Sequence, residues 1–477
     1  MDVLRISATE LAQLIRDRQI SVVEVVTACL QQIEYLNSQI NAVVTLDREN
    51  ALKKAQAADE ALERGENWGV LHGVPVTIKD TLEVAGLPTT AGYLPTKDYV
   101  SKEDAPVVAR LKAAGAIILG KTNLPTLAAD YQCDNSIFGR TNNPHNGEYT
   151  PGGSSGGSAA AIAAGFSALE LGSDFGGSIR VPAHFCGVSG LMPTDGRVST
   201  QGHLPPLSRQ PRYIRQMMRV GVLARCVTDL QLGFELISPT DGRPAPIPPS
   251  PKPISELSLA WTFGYANLPV SQDTRFCIQQ LIEKLTTTGC KLTQTQPTDA
   301  AWLDILGDYS AVAFFELYAS TNLRAILAGF LLGLKTEFTA RTQTKFKQGT
   351  PLSSKPQKML PPTVAKYKAL LSDRDRTMSW MAEFMADYDA WLCPVAMTPA
   401  FPHCKFGEPI MIDGVKYPYL LACGAYTMPF NYTGNPVVVI PIGKTGSGLP
   451  IGIQIVGKRW QDEALLVVAN QIEQAIN

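Results

Sequence analysis

Apolar and polar positions alternate along this chain with two different periods, and the switch between them marks out its elements. Ser7-Ala8-Thr9-Glu10 and Ser21-Val22-Val23-Glu24 each place a Glu three residues after a Ser. That spacing lets the two side chains satisfy each other's backbone amides at a helix N-terminus. After the second pair, Val22, Val25, Val26, Cys29, Leu30 and Ile33 recur at helical spacing. Two helices therefore open the chain, and the Ala- and charge-rich stretch 50–64 predicts a third. Val74-Pro75-Val76-Thr77-Ile78 is a short apolar run ending in Lys79-Asp80, which reads as a buried strand with two polar residues at its exit. Val107 to Ala114 is amphipathic and helical, and Ala116-Ile117-Ile118-Leu119 is a strand.

From residue 151 the texture changes to a Gly/Ser run followed by Ala159 to Ala164, made only of Ala and Ile, which suits a tightly packed buried helix. Strand and helix signals then alternate, as in a layered α/β architecture. Six prolines between 242 and 253 block helix and interior strand, so this stretch predicts an extended connector. Leu257-Ser258-Leu259-Ala260-Trp261 resumes as a strand, and 300–375 is mainly helical. Val437 to Pro441 and Ile451 to Val456 return to strands before a closing helix from Glu463.

Composition narrows the class. With 42 Lys and Arg against 43 Asp and Glu, the net charge of -1 favours neither nucleic acid nor an anionic membrane as a partner. The nine cysteines show no CxxC spacing, which reads as reduced, mostly buried thiols in a cytoplasmic protein. The N-terminus lacks a basic segment leading into an apolar core, and no apolar run approaches the roughly 20 residues of a transmembrane helix. Stable membrane insertion is therefore not expected. The 477 residues suit either two or three domains or one large α/β core.

Two segments carry candidate chemistry. Gly152-Gly153-Ser154-Ser155-Gly156-Gly157-Ser158 lies at a loop-to-helix junction, where uncovered amides favour anions. Gly172-Ser173-Asp174-Phe175-Gly176-Gly177-Ser178-Ile179-Arg180 puts a serine after two glycines. On a sharp turn, the amides at 175–178 could converge on one small volume, as an oxyanion hole requires. A nucleophilic serine needs a base. His184 follows Ser178 by six residues, but its apolar neighbours mark it as a core histidine. His72, His145, His203 and His403 stand in no recognisable motif with a carboxylate. A lysine held neutral by burial is the other option, and Lys79 is the best-placed one.

These segments together resemble the amidase-signature family. The resemblance rests on Gly73 to Asp80, Phe138-Gly139-Arg140-Thr141-Asn142-Asn143-Pro144, Pro151 to Ser158 and Gly172 to Arg180 with Pro182. It continues in Gly190, Pro193-Thr194, Gly196 to Ser199 and Gly448 to Gly457. It implies an α/β/α layered fold with a large central mixed twisted sheet, formed by one domain over 1–477. The matched core occupies about 60–240 and 385–477, and the variable region about 245–380 shapes the substrate side. It further implies a catalytic triad of Lys79, Ser154 in a cis peptide, and Ser178 as nucleophile. Backbone amides of Phe175, Gly176 and Gly177 form the oxyanion hole, with Asp174, Arg180 and Ser155 in support. The implied activity is hydrolysis of a small-molecule carboxylic amide, RCONH₂ to carboxylate plus ammonia, through an acyl-enzyme on Ser178, with no metal or cofactor. Two alternatives stand beside it: the glutamine-hydrolysing subunit of a tRNA-dependent amidotransferase, and a non-catalytic binding protein on the same fold. The segment Thr427-Met428-Pro429-Phe430-Asn431 looks more like stand-alone amidases, and a homodimer stays open.

The chain departs from the family pattern at Phe175, where many members carry Thr, Ile or Gly, and at Met192, which replaces a common Lys. Gly115-Ala116-Ile117-Ile118-Leu119-Gly120-Lys121-Thr122 matches a phosphate-loop pattern letter for letter. That reading is rejected, because the apolar strand lies between the two glycines and no helix follows the Lys. The apolar run 325–334 is read as core or dimer packing rather than as an acyl pocket or a membrane-facing cap.

Overall fold

The computed structural model describes residues 2–204, 216–238, 252–318 and 363–476. The chain opens with helices α1 (Ala8–Arg16) and α2 (Val22–Ile40), as the capping pattern predicts. Ser21 and Glu24 complete both arms of their box. Ser7 makes only its own bond, to the Glu10 amide, and the carboxylate of Asp229 accepts from the Ala8 and Thr9 amides. A long-range acidic partner thus completes the first helix end.

Among the described residues, the core is an 11-stranded mixed sheet. Its strands are β1 (Val43–Leu46), β2 (Pro75–Lys79), β3 (Ile117–Thr122), β4 (Leu169–Asp174), β5 (Ser189–Met192) and β6 (Arg219–Ala224), then β7 (Ser258–Trp261), β8 (Lys291–Gln294) and β9 (Ala390–Pro394). After the separate hairpin of β10 (Ile410–Ile412) and β11 (Val415–Tyr417), β12 (Val437–Lys444) and β13 (Pro450–Val456) complete it. The order is β1-β3-β2-β4-β6-β5-β12-β13-β9-β7-β8. Every residue of β2, β3 and β4 is buried, as expected of parallel strands covered on both faces.

Strands β2 and β4 run side by side and parallel, with Ile78 opposite Leu171. Their C-terminal ends, Lys79 and Ser173-Asp174, therefore emerge at the same edge of the sheet. That is where sites in α/β sheets are built. Behind this edge lies a helix over Gly156–Ala163, made of small residues that are nearly all buried. A Cβ on Gly157 would stand 2.5 Å from the Asn123 amide nitrogen and 2.9 Å from the Ala42 carbonyl oxygen. The Ala/Gly run therefore exists to let this helix approach backbone closely. A short helix, Arg180–Cys186, begins directly after the second Gly/Ser segment and packs on the Gly156–Ala163 helix.

The phosphate-loop pattern resolves as the sequence predicts. Lys121 and Thr122 are strand residues of β3, and the Lys121 ammonium is buried 2.9 Å from Asp80. Most of the proline connector and all of 325–334 lie outside the described residues. Among the described residues, no helix is long and apolar enough to cross a membrane.

Candidate active site

Lys79 is fully buried at the end of β2. Its Nζ lies 2.7 Å from Ser154 Oγ, 2.9 Å from Ser155 Oγ and 3.0 Å from Ser173 Oγ. Burial pulls its pKa down to about 7, against the opposing pull of the Asp174, Cys133 and Glu170 side chains. Near neutrality a large share of this lysine is an amine with a free lone pair. The Gly153–Ser154 peptide is cis, on the serine that the resemblance assigns to that geometry.

Ser178 is only half-buried, unlike Lys79 and Ser154. Its Oγ hydrogen-bonds to none of the described residues. Its loop is tied to the other serine loop through the backbone, because the Ser155 amide donates to the Ser178 carbonyl at 3.0 Å. The structure thus joins Lys79 and Ser154 side chain to side chain, and joins Ser178 to them through the main chain.

The loop before Ser178 is held by named groups. Asp174 accepts from the Gly177 amide at 2.8 Å, the Ile179 amide at 3.0 Å and the Arg180 guanidinium at 2.9 and 3.0 Å. Burial disfavours the Asp174 charge, yet Arg180, Asn431 and these amides hold the carboxyl below the usual range. Arg180 in turn donates to the Thr427 carbonyl at 2.9 Å and to Gln454 Oε1 at 2.8 Å, and it also reaches Asn431. Asp174 and Arg180, two of the three residues expected in support, are thus a fully buried ion pair. Met192 is buried behind them, its sulfur 3.2 Å from Arg219 and beside Asn431.

The oxyanion expectation needs one correction. The Gly177 N–H is committed to Asp174 Oδ1 and is not offered to a substrate oxygen. The cause is the orientation of the preceding peptide. The Gly176 carbonyl accepts from Tyr131 Oη at 2.7 Å and Thr427 Oγ1 at 2.6 Å, and the N–H of a trans peptide points opposite to its carbonyl. By the same logic, Tyr309 Oη donates 2.9 Å to the Phe175 carbonyl and turns the Gly176 N–H the other way. Among the described residues, the Phe175, Gly176 and Ser178 amides make no hydrogen bond. Gly177 has φ +125°, and a Cβ there would meet Thr427 Oγ1 at 2.4 Å, so glycine is required.

A profile model of the amidase family matches residues 24–466. The chain belongs to the amidase-signature family. This member is 32% identical over 504 aligned residues to a glutamyl-tRNA(Gln) amidotransferase subunit from Koribacter versatilis, covering 100% of this chain and 99% of that protein. A crystal structure of an amidase superposes with a TM-score of 0.81 at 27% identity, covering 99% and 100% of the two chains. A bacterial aryl acylamidase does so with 0.79 at 26%, covering 99% and 96%. The α/β fold with a large mixed sheet and the assignment as an amide-cleaving hydrolase both follow from this membership.

Several site residues of this amidase-signature protein carry no sequence signal of their own. Ser173 sits inside the quoted motif but contacts Lys79 directly. His203 reaches Ser173 Oγ with Nε2 at 2.9 Å. Glu170 accepts from Thr122 at 2.8 Å and Ser158 at 3.0 Å, and burial raises its pKa to about 7. Tyr131, Tyr309, Thr427 and Asn431 hold the loop from distant parts of the chain. His184 is the core histidine its neighbours suggest: its Nδ1 accepts from the Gly452 amide, and burial lowers its pKa to about 4.

Proposed function

We propose that this chain hydrolyses a primary carboxylic amide, RCONH₂, to the carboxylate and ammonia through an acyl-enzyme on Ser178. The buried Lys79–Ser154 contact at 2.7 Å carries this reading. Neutral Lys79 takes a proton from Ser154, and Ser154 takes one from Ser178. Ser178 Oγ then attacks the carbonyl carbon. The developing oxyanion is met by the Phe175, Gly176 and Ser178 amides, Gly177 being engaged elsewhere. Protonated Lys79 returns its proton through Ser154 to the leaving nitrogen, because an amine leaves poorly until protonated. Water enters by the same route and frees the acid.

Two readings of the acyl group follow. A stand-alone amidase acting on a small amide fits the aromatic side chains around the loop, with the Phe175 and Tyr309 rings 5.7 Å apart. The second reading is a glutamine-hydrolysing subunit that works with partner subunits in tRNA-dependent amide transfer. The full-length similarity to a protein named as a component of a glutamyl-tRNA(Gln) amidotransferase favours it over the first. It also weighs against the expectation of an enzyme without nucleic-acid partners. The segment 427–431 does not decide between them. Thr427 and Asn431 hold the oxyanion loop, a task that neither reading excludes.

Ammonia release from short aliphatic, long-chain and aromatic primary amides and from glutamine, with Ser178→Ala as control, tests the proposal. Turnover that disappears in the variant supports it, and glutamine as the preferred amide selects the second reading. No turnover on any of them, alone or with amidotransferase partner subunits, overturns it.

A further inference from the structure

His203 is far from the triad in sequence and close to it in space. The chain leaving β2 through Lys79 runs antiparallel to the segment that carries His203. The Glu83 amide donates to the Gly202 carbonyl at 2.9 Å, and the Leu204 amide donates to the Thr81 carbonyl at 2.7 Å. This two-sided pairing, with Leu82 opposite His203, fixes the histidine backbone beside the chain that leaves Lys79. The imidazole is buried, and its Nε2 stands 2.9 Å from Ser173 Oγ, which is itself 3.0 Å from Lys79 Nζ.

The hydrogens around Lys79 limit which hydroxyl its lone pair can meet. A neutral lysine amine has two hydrogens to donate and one lone pair. Three hydroxyls surround it, Ser154, Ser155 and Ser173, and the Ser173 carbonyl stands farther off at 3.4 Å. Ser155 spends its own proton on the Ser173 carbonyl at 3.2 Å, so it receives one lysine hydrogen. Among the described residues, the Ser173 hydroxyl touches only Lys79 and His203. If its proton points to His203, Ser173 receives the second lysine hydrogen and the lone pair is left for Ser154. Without an acceptor at His203, the Ser173 proton turns to that lone pair and competes with Ser154 for it.

We propose that His203 is a positioning residue of the amide-cleaving site: its Nε2 accepts the Ser173 hydroxyl proton and thereby keeps the Lys79 lone pair directed at Ser154. The inference rests on the reading of Lys79 as the base. It assigns His203 the tautomer protonated on Nδ1. His203 touches no reacting atom and acts only through Ser173.

The test is steady-state kinetics on the best amide of the panel, with thermal unfolding run in parallel. His203→Leu lowers kcat about tenfold and leaves KM within about twofold, the expected loss for one oriented hydrogen bond. His203→Gln, whose amide oxygen can accept the same proton, returns kcat to within about threefold of wild type. Ser173→Ala removes the hydroxyl that would compete for the lone pair, so His203→Leu added to it costs less than about twofold more. Equal kcat in His203→Leu and wild type overturns the proposal, as does full additivity with Ser173→Ala. If His203→Leu does not fold, His203→Gln carries the test, and a folded Gln variant about tenfold slower than wild type overturns it. Absence of amide turnover in the wild type removes the underlying reading and this one with it. Turnover that depends on Ser178 but not on His203 removes this one alone.

Discussion

Lys79 Nζ lies 2.7 Å from Ser154 Oγ in a fully buried pocket at the end of a central strand. Burial is what makes this contact chemically useful. In water the lysine would be an ammonium with no lone pair, whereas here desolvation brings its pKa to about 7. The same burial would leave an unpaired charge if the lysine stayed protonated, so the three hydroxyls around it serve both states. As an ammonium it donates to all three, and as an amine it donates to two and accepts from the third.

The first prediction is a pH profile. Activity needs the neutral amine, so kcat/KM should rise with pH through about 7 and level off above it. Below that point the neutral fraction, and the rate with it, should fall about tenfold per pH unit. The sign follows from a base whose folded pKa is depressed: protonation on acidification removes its function. Measuring kcat/KM from acid to mildly alkaline pH checks this. A profile flat through neutrality would remove Lys79 as the base.

The second concerns Asp174. Asp174→Asn keeps the shape but leaves the buried Arg180 guanidinium without its counter-charge. Breaking a buried pair in this way costs about 3–5 kcal/mol. Chemical denaturation of the variant should show a loss of that order, together with reduced turnover from a displaced Gly177–Arg180 loop. A variant as stable as wild type would show that the pair does not hold the loop.

A third prediction tests the glycine before the nucleophile. Gly177→Ala adds a Cβ 2.4 Å from Thr427 Oγ1 at a left-handed φ of +125°. Turnover should fall by at least about a hundredfold, since displacement of oxyanion donors alone has effects of that size. Thr427→Ala in the same chain should not restore it, because the strained backbone remains. Recovery in the double variant would mean that only the side-chain clash matters.

The carbonyl anchors give a fourth. Tyr131→Phe and Tyr309→Phe each remove one hydroxyl that orients a loop peptide. Each should lower kcat about three- to tenfold, the equivalent of one net hydrogen bond. The Tyr131 effect should be the smaller, because Thr427 also donates to the Gly176 carbonyl. Kinetics of the two variants side by side would show it, and a larger loss at Tyr131 would contradict the shared-anchor account.

Much of this site is legible in the sequence because its parts are local. The apolar run ending in Lys79 marks a buried strand, and the two Gly/Ser segments mark turns at helix starts. The unread parts are those made by tertiary pairing. Asn431 and Thr427 reach Asp174 and Gly176 from some 250 residues away in the chain, and no periodicity announces such a contact. Nothing in the sequence pairs Lys121 with Asp80. They form a buried ion pair because neighbouring parallel strands deliver them to one edge. His203 shows no carboxylate partner because its partner is a serine, Ser173, on a strand placed earlier in the chain. The Gly177 amide departs from expectation for a related reason. Its direction is set by Tyr131 and Thr427 acting on the previous carbonyl, which a sequence motif does not encode.

The central claim is that Ser178 becomes acylated with Lys79 and Ser154 as its base relay. The most direct measurement is mass spectrometry of the protein after brief reaction with a serine-directed phosphonate, followed by mapping of the modified peptide. The account predicts one adduct on Ser178, none in Ser178→Ala, and slow labelling in a folded Lys79→Ala variant. An adduct on another residue, or labelling of Ser178→Ala at the wild-type rate, would contradict it.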